Sequence, residues 1–83
     1  MLILNADRTA LYDSQDFEIY LIKNRGKFYI TAEGSDNSGS VTLAIYDVES
    51  DCKSIFEDFA NALAKNEIFF KFPEDTNDEN SET

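Results

Sequence analysis

Apolar and polar residues alternate along three segments of the chain, as they do in β-strands with one buried face. These segments cover residues 17–23, 27–33 and 41–48. The short loop at 24–26 between the first two contains a glycine and predicts a β-hairpin. The side chains expected to face inward are Phe17, Ile19, Leu21, Phe28, Ile30, Ala32, Val41, Leu43 and Ile45.

The period of the apolar residues changes after the third strand. Between residues 51 and 65 they recur in steps of one and three, which predicts an amphipathic α-helix. Ser50 is the expected N-cap residue, and Asn66 is expected to end the helix in a left-handed conformation. The apolar stripe of this helix is Cys52, Ile55, Phe56, Phe59, Ala60 and Leu63.

Short apolar runs at residues 2–4, 9–12 and 68–72 are three further strand candidates. Because one helix accompanies a series of strands, residues 1–72 are expected to form a single small α+β domain. We expect a mainly antiparallel sheet of four to six strands, with the amphipathic helix packed on one face. Residues 73–83 hold five acids, no base and no apolar residue except proline, which predicts a disordered acidic tail.

A single helix covers only one face of a sheet, so the second face is expected to be exposed. Strict alternation places Tyr20, Tyr29 and Tyr46 on that second face. Tyrosine is enriched at protein interfaces, so this face is a candidate binding surface. The alternative is that segment 2–12, or the last strand, folds over it.

The charge balance restricts the possible partners. The chain has 17 acidic and 7 basic side chains and a net charge of −10, half of which lies in the predicted tail. Such a chain repels nucleic acids and anionic membranes and attracts basic protein surfaces. The longest aliphatic run, residues 2–4, is far too short to cross a membrane, and no secretory signal is present, so we expect a cytoplasmic protein.

The residue types that usually catalyse reactions or bind metals are scarce. There is no histidine, and Cys52 is the only cysteine, which excludes an internal disulfide and the usual zinc sites. The acids that begin at Asp47 have the spacing of a calcium loop, but Cys52 occupies the position that needs glycine. Gly34 and Gly39 have the spacing of a P-loop, but its lysine is missing. We therefore expect no enzymatic activity, no metal and no cofactor.

Two groups of charged residues are candidates for binding. Lys23, Arg25 and Lys27 lie at the tip of the predicted hairpin, where they form either a contact for an acidic partner or phosphate, or an ordinary solvated turn. Carboxylates on a rigid sheet and helix can also imitate the spacing of nucleic-acid phosphates, unless they only aid solubility. The acidic candidates are Asp47, Glu49, Asp51, Glu57 and Asp58.

Three features of organisation occur together in this chain: the opening segment from Met1 to Tyr12, three strands, and a late amphipathic helix that ends before Phe72 and Pro73. In these features the chain resembles short acidic proteins of Gram-positive bacteria and their phages. Some phage proteins of this size and acidity inhibit host defence nucleases, including anti-CRISPR proteins that act by DNA mimicry.

The resemblance and the acidity together predict a non-enzymatic inhibitor that acts in the cytoplasm, the host's if a phage encodes it. Its partner would be a basic protein surface, most concretely the nucleic-acid-binding groove of a DNA-processing or defence enzyme. The alternative is a structural or assembly protein that forms a homodimer through the tyrosine-bearing face.

Overall fold

The computed structural model describes residues 1–36 and 39–74. Six strands and one helix follow one another in the order β1 (Leu2–Leu4), β2 (Leu11–Asp13), β3 (Phe17–Asn24), β4 (Lys27–Gly34), β5 (Ser40–Tyr46), α1 (Glu49–Ala64) and β6 (Phe69–Lys71), with a short 3₁₀ helix at Ser14–Asp16. The predicted α+β class is confirmed, but the strands form two sheets of three rather than one. The predicted acidic tail lies outside the described residues from residue 75 onward.

Strands β3, β4 and β5 form the larger sheet and are antiparallel in that order. β3 and β4 are joined by a turn at Arg25 and Gly26, whose φ angles are 56° and 78°. Positive φ at both central residues is what a type I′ hairpin turn requires, so the predicted hairpin is confirmed. The loop that follows β4 is closed by a hydrogen bond from the Gly34 N–H to the Gly39 carbonyl (2.9 Å).

A β-bulge interrupts the alternation of side chains in β5. Ile30 and Thr31 are adjacent in β4, but they pair with Ala44 and Thr42, so Leu43 is an extra residue in β5. Because side chains alternate with a period of two, one extra residue moves every later side chain to the opposite face.

The bulge corrects the predicted orientation of the end of β5. Ile45, which strict alternation directs inward, is 41% exposed. Tyr46, which strict alternation places beside Tyr20 and Tyr29, is instead 3% exposed on the inner face. Both predictions are wrong for one reason: the residue pattern does not reveal the extra residue.

The smaller sheet has β1 at its centre, antiparallel to β2 and parallel to β6. Ile3 is fully buried, and its register neighbours Tyr12 and Phe70 pack against the core on the same face. The side-chain carbonyl of Asn5 accepts hydrogen bonds from two backbone N–H groups of the loop between β1 and β2 (2.9 and 3.1 Å). A buried amide thus fixes the shape of this loop.

Two hydrogen bonds attach the first and last segments of the chain to β5. The Ala6 N–H donates to the carbonyl of Leu43 (2.8 Å), so the loop after β1 satisfies an acceptor at the bulge. The Tyr46 hydroxyl donates to the Pro73 carbonyl (2.6 Å). The bulge and the tyrosine that it turns inward therefore hold the smaller sheet in place.

The helix and the smaller sheet share the inner face of the larger sheet and form one core with it. α1 contacts β4 and β5. Phe59 of the helix is buried, and its ring centre lies 5.3 Å from those of both Phe70 and Phe72. Cys52 is fully buried, and this burial raises the pKa of its thiol. The aromatic cluster therefore joins the helix to the end of β6.

The helix begins earlier than expected. Val48 occupies the N-cap position and Glu49 is the first helical residue, so the prediction of Ser50 as the cap is wrong. β5 already ends at Tyr46, which leaves room for the helix to start before Ser50. Acidic residues in the first turn interact favourably with the helix dipole in place of a side-chain cap.

The end of the helix is as predicted. Asn66 has a φ of 61°, in the left-handed region. The N–H groups of Asn66 and Glu67 donate to the carbonyls of Leu63 and Ala62, respectively (3.1 Å each). This pair of bonds is the Schellman motif, in which a left-handed residue closes the last turn of a helix.

We expect Phe59→Ala to lower the free energy of unfolding by about 3–5 kcal/mol, because it removes a buried ring and leaves a cavity. Phe69→Ala is the matched control and should cost much less, since Phe69 is exposed. Guanidinium denaturation followed by circular dichroism compares the two variants. Equal losses would show that the core is not centred on Phe59.

Candidate functional site

The five carboxylates predicted as a binding surface are all exposed, but two of them are paired with lysines. Asp47 forms a salt bridge with Lys27 across the end of the larger sheet. Glu49 forms one with Lys53, one helical turn further on (3.2 Å). These lysines reduce the negative charge that both positions present to a partner.

The three remaining acids lie on two sides of α1. Asp51 and Asp58 are seven residues apart and therefore lie on the same side of the helix. Glu57 lies about 100° away from Asp58 and follows the side that carries Glu49 and Lys53. The structure thus divides the predicted acidic surface into two small groups.

The bases at the hairpin tip have three different environments. Lys27 is paired with Asp47, and the Lys23 amine lies over the ring of Phe28, 5.8 Å from its centre. Arg25 occupies the turn itself and is exposed. The predicted basic cluster is therefore spread around the end of the hairpin and does not converge on one point.

The outer face of the larger sheet carries Tyr20 and Tyr29 but not Tyr46. Ile22, Tyr29 and Ile45 are paired across the three strands and form an apolar row on this face. The smaller sheet joins the core on the inner side, so the N-terminal segment does not cover the tyrosine-bearing face. Tyr20 and Tyr29 remain half-buried there.

Glutamates make one end of this face acidic. Glu18 and Glu33 are cross-strand neighbours, and the Tyr20 hydroxyl donates a hydrogen bond to Oε1 of Glu33 (3.2 Å). Loss of hydration raises the pKa of the Tyr20 phenol above its ordinary value, and the hydrogen bond to Glu33 and the charges of both glutamates raise it further.

An open groove lies between β3 and α1. Its volume is about 190 Å³, below the range of about 300–1,000 Å³ that is usual for small-molecule sites. It touches both elements and is mostly apolar. The lining residues are Ser14, Phe17, Ile19, Phe56, Phe59, Ala60 and Leu63.

The groove exists because the helix packs mainly on β4 and β5 and leaves the side of β3 less covered. The buried face of α1 is made of Cys52, Phe59 and Ala62. The prediction that Ala60 and Leu63 are core residues is wrong, because both are exposed and form the helical wall of the groove. The apolar stripe of the helix is wider than the surface that covers it.

A second apolar surface, the outer face of the smaller sheet, is not predicted by the sequence pattern. Leu2, Leu11 and Phe69 are 48%, 59% and 45% exposed, and Ile68 beside them is 84% exposed. The strand register places Leu4 on the same face. One signal was available: β1 is apolar at every position, which is typical of a strand covered on both faces.

No protein-family profile, curated protein or solved structure matches the chain. The resemblance to short acidic proteins of bacteria and phages therefore stays a prediction.

Within residues 1–36 and 39–74, no group of three or more cysteine, aspartate or glutamate side chains is placed to hold a metal ion. In the same part of the chain, no helix has the length and apolar character needed to cross a membrane.

We expect Glu33→Gln to lower the pKa of Tyr20, because it removes the carboxylate that favours the neutral phenol. Glu18→Gln should lower it less, since Glu18 acts only through its charge. An NMR titration of the Tyr20 ring carbon between pH 8 and about 12 measures both effects. The pKa of Tyr20 is raised in the folded state. The stabilising effect of this interaction is therefore complete below the pKa of a free tyrosine, and it is lost as the pH rises through the raised pKa of Tyr20. Identical titrations of Tyr20 in the two variants would contradict the hydrogen bond.

Proposed function

We propose that this chain is a non-enzymatic protein-binding module whose binding site is the groove between β3 and α1. The observation that carries the proposal is an open apolar groove beside an edge strand. β3 pairs with β4 on one side and with no other strand of the described residues. Alternate backbone N–H and C=O groups of an edge strand point away from the sheet and are available to another chain.

An edge strand next to an apolar groove suits the binding of an extended peptide by β-augmentation. Main-chain hydrogen bonds to β3 would hold the peptide, and its alternate side chains would enter the groove. Phe17 and Ile19 would contact those side chains from the strand, and Ala60 and Leu63 would contact them from the helix. The small volume supports a peptide side chain over a separate small molecule.

The charge of the protein supports a basic partner. The net charge of −10 attracts cationic chains at long range and increases their rate of association. Asp16 and Glu18, both exposed, lie at the start of β3 and close to the groove. A bound segment with lysine or arginine near this end would gain local pairing in addition to steering.

The specific form that we propose for this function is inhibition of a DNA-processing or defence enzyme in the cytoplasm. A basic segment of the enzyme that is held along β3 would no longer contact nucleic acid. The acidity and the resemblance to phage proteins that include anti-CRISPR inhibitors support this form. Direct DNA mimicry by Asp51, Asp58 and the other predicted acids has less support, because lysines pair with two of the five.

The alternative function is assembly of a homodimer through the tyrosine-bearing face. The exposed row that contains Ile22 and Ile45 supports it. The loss of Tyr46 to the core weakens it, because Tyr46 was one of the three tyrosines on which it depended.

A matched pair of variants tests the groove. Ala60→Arg should block it, whereas Asn61→Arg adds the same charge at an exposed neighbouring position that does not line it. The probe is a fluorescent ten-residue peptide that alternates leucine with lysine, and a peptide that alternates leucine with glutamate is its control. We expect the basic peptide to bind the parent and Asn61→Arg, and to bind Ala60→Arg about tenfold more weakly, a difference of about 1.4 kcal/mol.

The proposed site is wrong if both arginine variants bind the basic peptide equally well, or if the acidic peptide binds as tightly as the basic one. In a competition assay, the protein and DNA compete for binding to a basic nuclease. This assay distinguishes inhibition through the groove from inhibition by DNA mimicry. Loss of inhibition in the Asp51→Lys/Asp58→Lys variant, with Ala60→Arg still active, would favour mimicry over the groove.

A further inference from the structure

We infer that the outer face of the smaller sheet is a self-association surface that binds the same face of a second copy of this chain. The apolar patch on this face consists of Leu2, Leu4, Leu11 and Phe69. The inference is independent of the groove, because no patch residue lines that groove.

The size of the patch is the first argument. At about 100 Å² for each of the three well-exposed side chains, the patch presents on the order of 300 Å² of apolar surface. That is the size of the largest patch on many monomeric proteins, here on a chain with 83 residues. Two such patches in contact would bury roughly 600 Å², less than the roughly 1,000 Å² of a stable interface. The expected product is therefore a weak dimer.

The strand register gives the patch two charged corners. Side chains on this face form two rows of three, which are Phe69, Leu2 and Asp13, then Lys71, Leu4 and Leu11. Asp13 and Lys71 therefore lie at diagonally opposite corners, and Phe69 and Leu11 occupy the other two. Both charged side chains belong to exposed residues.

This arrangement is complementary to itself. A two-fold axis in the contact plane, along the diagonal from Phe69 to Leu11, places Asp13 of one copy opposite Lys71 of the partner subunit, and the reverse pair forms as well. The four corner residues lie about 10 Å apart across the three strands and about 7 Å apart along a strand. When the strands of the two copies cross at roughly a right angle, each Asp13 therefore lies within reach of the partner's lysine side chain. Orthogonal packing of two sheets is a common arrangement, and an isologous interface requires such self-complementarity.

The described residues leave most of the patch uncovered. Residues 75–83 contain no apolar side chain, so they cannot replace water on this surface. Asp13 is also suited to accept the lysine. Its hydrogen bond from the Gln15 N–H and its contact with the terminal amine both use Oδ1, and Oδ2 is the atom that would accept from Lys71 of the partner subunit.

Sedimentation equilibrium of the full chain, from about 10 μM to 1 mM, tests the surface. We expect the parent to dimerise within this range and Leu11→Asp to weaken the dimer at least about tenfold. Ile45→Asp is the matched control, because it puts the same charge on an exposed apolar residue of the other sheet. A parent that stays monomeric at 1 mM, or a dimer lost in Ile45→Asp and kept in Leu11→Asp, overturns the inference.

A charge exchange tests the orientation. Asp13→Lys and Lys71→Glu should each weaken self-association, since each creates two like-charged pairs in the dimer. An equimolar mixture of the two variants should form a heterodimer, because each contact then joins an acid to a base: one pair has its sign reversed, and the other is the original pair of Lys71 and Asp13. Thermal midpoints of both variants confirm that they fold, which matters because Asp13 caps the short 3₁₀ helix. A mixture that associates no better than the separate variants contradicts the proposed two-fold contact.

Discussion

The extra residue in β5, Leu43, determines which side chains at the end of β5 are buried. It turns Tyr46 inward, and its carbonyl accepts a hydrogen bond from the Ala6 N–H, so the smaller sheet docks at the bulge. The Tyr46 hydroxyl then holds the Pro73 carbonyl, next to the buried ring of Phe72. The bulge thus takes part in contacts with both ends of the described chain: with the loop after β1 through Ala6, and with Pro73 through Tyr46.

The packing of the helix and the smaller sheet on the larger sheet also determines which apolar surfaces stay exposed. The smaller sheet and α1 divide the inner face of the larger sheet between them, and the helix packs away from β3. Ala60 and Leu63 are left as a groove wall for this reason. On the other side of the core, β1 buries Ile3 and leaves Leu2 exposed, so a strand that is apolar throughout is covered on one face only. We propose different partners for the two apolar surfaces: an extended basic segment for the groove, and a second copy for the patch.

Much of the fold could be predicted from the sequence, because alternation and helical periodicity are local signals. They located the three long strands, the hairpin and the helix, and the position of Asn66 indicated its left-handed conformation. The pairing of β1 with β6 joins residues at opposite ends of the described chain, and no local pattern reports it. The bulge at Leu43 likewise leaves no mark in the local pattern, and the loop that bonds to it at Ala6 is distant in the sequence. The face of Tyr20 and Tyr29 was therefore predicted correctly, and the face of Tyr46 was predicted wrongly. The groove and the apolar patch were not predicted at all.

A nuclear Overhauser experiment on the side chains of β5 tests the bulge most directly. With the bulge present, the ring protons of Tyr46 should show contacts with Pro73, and the methyl groups of Ile45 should show contacts with the ring of Tyr29. With strict alternation instead, Ile45 would contact Phe28 as its register partner on the inner face, and Tyr46 would contact Tyr29 on the outer face. The first pattern is the one we expect, and the second would contradict the arrangement of the core and of both proposed surfaces.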